Sequence, residues 1–295
     1  MRYGASVPPR EPWQATRVVL LADDMLRWSI ALALPLALAM AGCASLWGIG
    51  DLPSLVTDGG VDAAIDAPVD AGPRFCSTLT PKPDFCADFD DESEPLLAGF
   101  DNGQASPDPF MTGGATIEDG RTTFFSGPRA ATITVPALID PHKAAAGLVR
   151  SFAAPPKSLL LEFAMRIETE EFPDPSRNIG LVLLTFPKGQ IAIFRDSGGI
   201  FLGMTDDVAS EKKAKSTVAV PVGQWKRIGL VVVDRDTDHG TVAMEVDGTQ
   251  AAELPLGTIF VSEVGRTYLG IGALGATGNL GVFKVAVDNV WMNLR

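Results

Sequence analysis

Hydrophobic and polar residues alternate with a period of two through much of the chain, most regularly between Gln224 and Leu254. One alternating run there leads into a polar turn at residues 234–240, and a second run follows it and ends at Asp247-Gly248. Such alternation is typical of strands that bury one face. Because Asp and Gly both tolerate the left-handed backbone of a tight turn, the stretch predicts a β-hairpin.

Strand patterns separated by glycine and proline continue through the chain from about residue 75, and no long amphipathic helix interrupts them. Besides the hairpin, the predicted strands are Phe85–Asp90, Ala131–Val135, Gly147–Ala153, Ser158–Glu168, Ile179–Phe186, Gln190–Phe194, Ile200–Met204, Ser216–Val220, Tyr268–Gly272 and Gly281–Leu294. About a dozen short strands at this spacing predict an all-β fold, a two-sheet antiparallel jelly-roll sandwich.

The hairpin and the last strand resemble a known family. Trp225 opens one hairpin strand and Val246-Asp247-Gly248 closes its partner, a pattern similar to the laminin G-like branch of the concanavalin A-like lectin and glucanase sandwiches. Asp288-Asn289-Val290 resembles the closing strand of those domains, which returns beside the first strand. The resemblance covers residues 85–295. It implies a concanavalin A-like sandwich with a binding role, most commonly for sugars.

A targeting segment precedes this region. Residues 29–41 form an apolar run that follows Arg27 and contains Pro35. The run is too short to span a bilayer comfortably, so it predicts a signal peptide over residues 1–42 rather than a transmembrane helix. Met25 is an alternative start, since signal peptides usually begin a few residues before the charge.

The apolar run ends in Met40-Ala41-Gly42-Cys43, which resembles a bacterial lipobox. The resemblance implies that the Cys43 thiol carries a lipid that anchors the chain in a membrane. A secretory signal that merely contains a cysteine is the alternative. Ala44 follows, and the absence of Asp there implies, by the same resemblance, an outer-membrane lipoprotein of the cell envelope, either periplasmic or surface-exposed.

Residues 43–74 read as an acidic tether that precedes a domain at residues 75–295. Asp, Ala, Gly and Pro dominate this linker, so it has little apolar surface to bury. Cys76 and Cys86 then remain as an even pair in an exported protein, which predicts a local disulfide. Two free thiols or a metal pair are the alternatives, but neither histidine stands at ligand spacing.

The charge balance limits the partners. The chain has 24 Lys and Arg against 36 Asp and Glu, a net charge of −12, which repels nucleic acid and anionic lipid head groups. The charge thus makes nucleic acid an unexpected partner. The expected partners are the membrane, through the lipid anchor, and a glycan or another envelope protein.

Catalytic signatures are scarce. Glu245-Val246-Asp247 begins like the catalytic strand of the β-glucanases in the resembling family, but the following acid is missing. Glu162 and Glu168 do not make a convincing pair, and with two His in the chain most acid–base chemistries lack their usual residue. The sequence therefore predicts that the chain is not an enzyme.

Calcium is the cofactor that the sequence suggests, although no motif requires one. Asp234, Asp236 and Asp238 alternate as in an EF-hand loop, with Glu245 at the twelfth position. The sixth position is His239 where an EF-hand needs Gly, so an acidic exposed turn is the favoured interpretation.

A second calcium candidate follows from the family resemblance. It implies that Asp288 on the closing strand shares a structural Ca²⁺ with Asp88 or Asp90 near the first strand. The alternative is that Asp288 and Asn289 cap a bulge through side-chain hydrogen bonds.

Sugars stack on exposed aromatic rings, and the candidate ligand-binding residues are Trp225, Tyr268 and Phe201. The function predicted from the sequence is a non-catalytic envelope lipoprotein that displays a lectin-like binding or adhesion module. A degenerate or unusual glycan hydrolase of the same fold and a structural envelope protein are the alternatives.

Overall fold

A computed structural model of the chain describes residues 74–101, 111–139, 142–206, 211–257 and 265–295. A short helix, α1 (Phe75–Thr78), comes before the strands. The strands are β1 (Phe85–Ala87), β2 (Met111–Thr112), β3 (Thr116–Gly120), β4 (Ala130–Val135), β5 (Lys143–Phe152), β6 (Leu159–Glu170), β7 (Asn178–Phe186), β8 (Gly189–Asp196), β9 (Gly199–Asp206), β10 (Glu211–Lys215), β11 (Trp225–Val233), β12 (Thr241–Val246), β13 (Thr249–Pro255), β14 (Thr267–Thr277) and β15 (Phe283–Leu294).

The strands form two antiparallel sheets, which confirms the predicted jelly-roll sandwich. Sheet A has the order β13-β12-β11-β6-β15-β4-β3, with β1 also paired to β15. Sheet B has the order β10-β9-β8-β7-β14-β5-β2. The first and last strands meet as expected, with Phe85 opposite Met292 and Cys86 opposite Trp291.

Period-two patterning explains how the sheets pack. Leu159, Leu161 and Phe163 of β6 are fully buried, whereas the intervening residues are partly exposed. The apolar faces of both sheets meet in one core, which removes their surface from water and supplies the main drive for folding. As a result, the alternate residues of strands such as β6 and β12 face outward.

The hairpin predicted in the centre of the sequence is present as β11 and β12, with Leu230 opposite Met244. Asp247 and Gly248 both have positive φ, at 51° and 73°, and form the turn that follows β12. The chain then enters β13, which pairs back onto β12 and makes the unit a three-stranded meander. The sequence pattern did not predict β13 as a separate strand.

The predicted strand Ser216–Val220 is wrong, because the strand in this region is β10, at Glu211–Lys215. The Ser216 hydroxyl donates to the Val218 carbonyl at 2.6 Å and accepts from the Val218 amide at 3.1 Å. Such local side-chain bonds compete with a strand ladder. The Thr217 amide instead donates to the Ala251 carbonyl.

The Cys76–Cys86 disulfide is confirmed, so these cysteines are neither free thiols nor a metal pair. The predicted signal peptide, the lipidation site Cys43 and the acidic linker up to residue 73 lie outside the described residues. No helix in the described ranges is long and apolar enough to cross a membrane.

Candidate functional site

Four residues stand side by side on the outward face of sheet A. The strand register places Trp291 of β15 opposite Glu162 of β6, Glu162 opposite Gly229 of β11, and Gly229 opposite Glu245 of β12. Their sequence neighbours point into the core, so all four face outward. We call this set the carboxylate row.

Gly229 controls the spacing of the two carboxylates. Adjacent strands are about 4.8 Å apart, so the Cα atoms of Glu162 and Glu245 are separated by roughly 10 Å. A Cβ atom at Gly229 would lie 3.1 Å from the Glu245 Cβ and 3.4 Å from its Oε2. The Glu245 side chain therefore leans over the glycine, towards the strand that carries Glu162.

The two carboxylates differ in their partners. The Trp291 indole N–H donates to Glu162 Oε1 at 3.4 Å, and Trp291 is 7% exposed. Burial raises the pKa of Glu245, and the nearby Glu162 charge raises it further. Within the described ranges no hydrogen-bond donor or cation offsets either effect at Glu245. The row thus holds a half-buried carboxylate without a counter-charge.

An aromatic surface lies on the same face of sheet A. Phe125 contacts Trp225 edge-on, with ring centroids 5.7 Å apart, and the Arg227 guanidinium lies 5.7 Å from the Phe125 centroid. Phe124 and Phe125 are 40% and 39% exposed, which is unusual for large apolar side chains. We call Phe124, Phe125 and Trp225 the aromatic surface.

Asp288 holds the segment that carries this surface. Its Oδ2 accepts the Phe125 amide at 2.9 Å and the Ser126 amide at 3.0 Å, and the Ser126 hydroxyl donates to Asn289 Oδ1 at 2.9 Å. The register of β15 shifts between Asp288 and Trp291, and Asn289 has a φ of 50°. Asp288 and Asn289 thus cap a bulge and fix the loop on the sheet. Burial raises the pKa of Asp288 to about 7, although the three amides that donate to it oppose this.

The carboxylates Asp88 and Asp90, near the first strand, were candidates for a shared calcium with Asp288. Asp88 accepts the Cys76 amide at 3.0 Å and the Asp90 amide at 3.3 Å. Asp90 Oδ1 is buried without a hydrogen-bond partner, and burial, followed by the Asp88 charge, raises the pKa of Asp90 to about 6. No three acidic, His or Cys side chains converge anywhere in the described ranges, so Asp90 and Asp288 remain as a two-carboxylate candidate.

The acidic turn at residues 234–240 does not have the geometry of an EF-hand. Asp236 pairs with Lys157 at 2.9 Å, and Asp238 lies beside a histidine in an exposed turn. Asp234 follows the end of β11, whereas Glu245 lies opposite Gly229, in the middle of that strand. The extended strands therefore separate the twelfth residue from the other three.

The three sugar-stacking candidates fall on opposite faces of the sandwich. Trp225 belongs to sheet A, whereas Phe201 and Tyr268 face outward from β9 and β14 of sheet B. Phe201 is 8% exposed, because it stacks on Phe194 at 5.2 Å and lies under the Lys213 ammonium. The structure therefore does not bring the three together.

Sequence reasoning missed Phe124 and Phe125 and did not pair Glu162 with Glu245. The two phenylalanines lie in a segment with no strand pattern. Glu162 and Glu245 are 83 positions apart in the chain, and they meet only because β11 lies between β6 and β12. The pair could have been predicted only from the order of the strands in the sheet.

No family model and no curated protein matches this sequence. Among solved structures, the chain is similar to endo-β-1,4-glucuronan lyase from the fungus Trichoderma reesei, with 15% identity and a TM-score of 0.55 over 72% of this chain and 96% of that chain. It is also similar to Cip1, a cellulose-induced protein, with 14% identity and a TM-score of 0.50 over 70% and 96%. A third is alginate lyase vAL-1 from a Chlorella virus, with 11% identity and a TM-score of 0.44 over 62% and 91%. The first two similarities agree with the two-sheet jelly-roll fold.

The expectation that the chain is not an enzyme is corrected by these comparisons, because a solved structure with a similar fold is an endo-β-1,4-glucuronan lyase. The expectation depended on the absence of a carboxylate pair within one strand. Pairing between strands places Glu162 and Glu245 on the same face of sheet A, which the sequence did not reveal.

Proposed function

We propose that the domain binds carbohydrate on the outward face of sheet A. The observation that carries this proposal is the exposed aromatic surface on the same face as a half-buried carboxylate without a counter-charge. The apolar face of a sugar ring stacks on aromatic rings, and carboxylates accept hydrogen bonds from sugar hydroxyls. The fold supports the proposal, since a similar solved structure is a glucuronan lyase.

The layout suits an oligosaccharide better than a single sugar. Trp225 and Gly229 lie four residues apart on β11, which is about 13 Å along an extended strand. Arg227 lies between them and is directed towards Phe125. A chain of sugars that follows β11 would contact the aromatic surface at one end and the carboxylate row at the other.

Cleavage of the bound glycan is a second candidate, favoured by the carboxylate row. Inverting glycosidases use two carboxyl groups that flank the scissile bond, of which one is protonated and acts as the acid. The raised pKa of Glu245 suits that acid, and Glu162 is the second carboxyl group. Hydrolysis would release new reducing ends, whereas lyase elimination would release products that absorb in the ultraviolet. Both assays should be run on every glycan that binds.

We further propose that the chain is displayed on the cell envelope through a lipid on Cys43, with residues 43–74 as the tether. The lipobox-like residues before Cys43 and the acidic composition of the linker support this. In cells, a Cys43→Ser variant should move from the membrane fraction to the soluble fraction. Unchanged membrane association would contradict the anchor.

A glycan array with the purified chain tests the binding proposal. The Phe125→Ala and Trp225→Ala variants should weaken the signal, and Tyr268→Ala, on the opposite face, should leave it unchanged. If only Tyr268→Ala lost the signal, the binding site would lie on sheet B and the proposed location on sheet A would be wrong. An array without any signal would leave a protein partner or a structural envelope role as the better account.

A further inference from the structure

We propose that the carboxylate row selects a cationic sugar, so that the glycan contains amino sugars with free ammonium groups. This inference rests on the proposed carbohydrate binding and names the class of sugar. The geometry behind it is the approach of Glu162 and Glu245 across Gly229, where the missing side chain lets Glu245 lean between the strands.

The negative charge of the row is not neutralised within the described part of the chain. The two basic residues of β11 are engaged elsewhere: Lys226 pairs with Asp247 at 2.7 Å, and Arg227 lies over Phe125. From the described residues, Glu162 receives the neutral indole N–H of Trp291 and no cation. A ligand that brings a positive charge would relieve the repulsion between the carboxylates, which the half-buried setting strengthens.

The chemistry of the row favours an ammonium group over a metal ion. Calcium takes six to eight oxygen ligands, but Leu160, Val231, Ala164 and Ala243 beside the row on this face offer no side-chain oxygen. Asp247 and Asn293 also lie beside the row, but Asp247 pairs with Lys226 at 2.7 Å and Asn293 Oδ1 accepts the Asp84 amide at 3.2 Å. An ammonium group has three donors, and the two carboxylates can accept from it. A uronic acid at the same position would add a third negative charge.

Affinity for matched oligomers tests the inference. Titration calorimetry would compare a glucosamine oligomer with the N-acetylated oligomer of equal length, at a mildly acidic pH where the amines are protonated. Because the two ligands share their stacking faces and most hydroxyls, the aromatic surface contributes equally to both. We expect the amine oligomer to bind at least about tenfold more tightly, a difference equivalent to one good charge-assisted contact.

Three variants and one control variant locate the effect. Glu245→Gln and Glu162→Gln keep the side-chain size and should lower the affinity for the amine oligomer to that for the acetylated one. Glu118→Gln, an exposed carboxylate on β3 of the same sheet, is the matched control and should keep the preference. Gly229→Ala should also reduce the preference, because the new Cβ displaces Glu245. Melting temperatures would confirm that each variant folds.

The outcomes separate this inference from the proposed function. Equal affinity of the wild-type chain for both oligomers overturns the amino-sugar inference and leaves carbohydrate binding in place. Tighter binding of the acetylated oligomer, or a preference that survives both glutamine variants, also overturns it. If no glycan of any kind binds, the proposed function itself fails.

Discussion

Glu162 and Glu245 are two strands apart on sheet A, and Gly229 is the residue between them. The three are laterally aligned by the antiparallel register of β6, β11 and β12, and the glycine allows Glu245 Oε2 to lie over the intervening strand. The pair carries like charges that repel each other, since the Glu162 charge raises the pKa of Glu245. Its presence beside an exposed aromatic surface is the basis of the functional account.

Removal of the Phe125 ring should weaken glycan binding about three- to tenfold, because a stacked ring contributes about 0.5–1.5 kcal/mol. Phe125 is 39% exposed, so Phe125→Ala should have little effect on the free energy of unfolding. Affinity by calorimetry and stability by urea denaturation would be measured together. Tyr268→Ala, at a partly exposed ring on sheet B, is the control, and an equal loss of affinity there would contradict the assignment.

The ion pair between Arg195 and Glu170 should be among the strongest single contacts between the sheets. Arg195 Nε donates to Glu170 Oε2 at 2.6 Å, Nη2 donates to Oε1, and Nη1 donates to the Val220 carbonyl at 3.1 Å. Glu170→Gln should reduce the free energy of unfolding by about 3 kcal/mol, because it leaves a buried charge unpaired. Urea denaturation measures this.

Arg121→Gln is the control for that experiment, because its ion pairs are exposed and should contribute less than about 1 kcal/mol. If Glu170→Gln and Arg121→Gln reduced the free energy of unfolding by similar amounts, the buried Arg195–Glu170 pair would contribute no more than an exposed pair.

The stability of the domain should fall as the pH rises from about 4 to about 7. Burial raises the pKa of Asp288 to about 7 and, with the Asp88 charge, that of Asp90 to about 6, whereas an unfolded Asp titrates near 4. In this window the folded state holds protons that the unfolded state has lost, so raising the pH favours unfolding. Melting temperatures across the range measure the slope.

Asp288→Asn removes one of the two titrating groups and should flatten this dependence. A slope that is unchanged in the variant, or a wild-type stability that rises through this pH range, would contradict the assignment to Asp288.

Calcium should raise the melting temperature more at neutral pH than at pH 5. The cation would bind at Asp90, whose buried Oδ1 lacks a hydrogen-bond partner, together with Asp288, and both carboxylates are ionised more fully at the higher pH. Magnesium is the control, since it prefers a smaller octahedral site. No shift with calcium at either pH would rule out the two-carboxylate site.

The sequence predicts the fold well where one face of a strand is buried. The alternation in β6 and β11 specifies both strand position and the side that faces the core. The pattern fails at β10, Glu211–Lys215, because an edge strand with three lysines has no apolar face to detect. At Ser216–Val220 the pattern predicts a strand that does not form. The apolar residues there belong to a turn in which the Ser216 side chain bonds to the Val218 backbone.

The candidate site was less predictable, because it depends on strand order. Trp225 could be singled out from its residue type, but its neighbour Phe125 comes from a loop anchored by Asp288, 163 positions away. For Asp288 the family resemblance implied a metal ligand and left a hydrogen-bonded bulge cap as the alternative, and in the structure its carboxylate accepts loop amides. A carboxylate can bind either a metal ion or backbone amides, and the sequence pattern does not show which of the two it binds.

The most direct test of glycan binding on sheet A is an NMR titration that follows the tryptophan indole N–H signals, assigned with Trp225→Phe and Trp291→Phe variants. Trp225 belongs to the aromatic surface and Trp291 donates to Glu162, so both signals should shift and saturate together as a binding glycan is added. If a glycan binds while both indole signals stay in place, the site lies elsewhere and the account of sheet A is wrong.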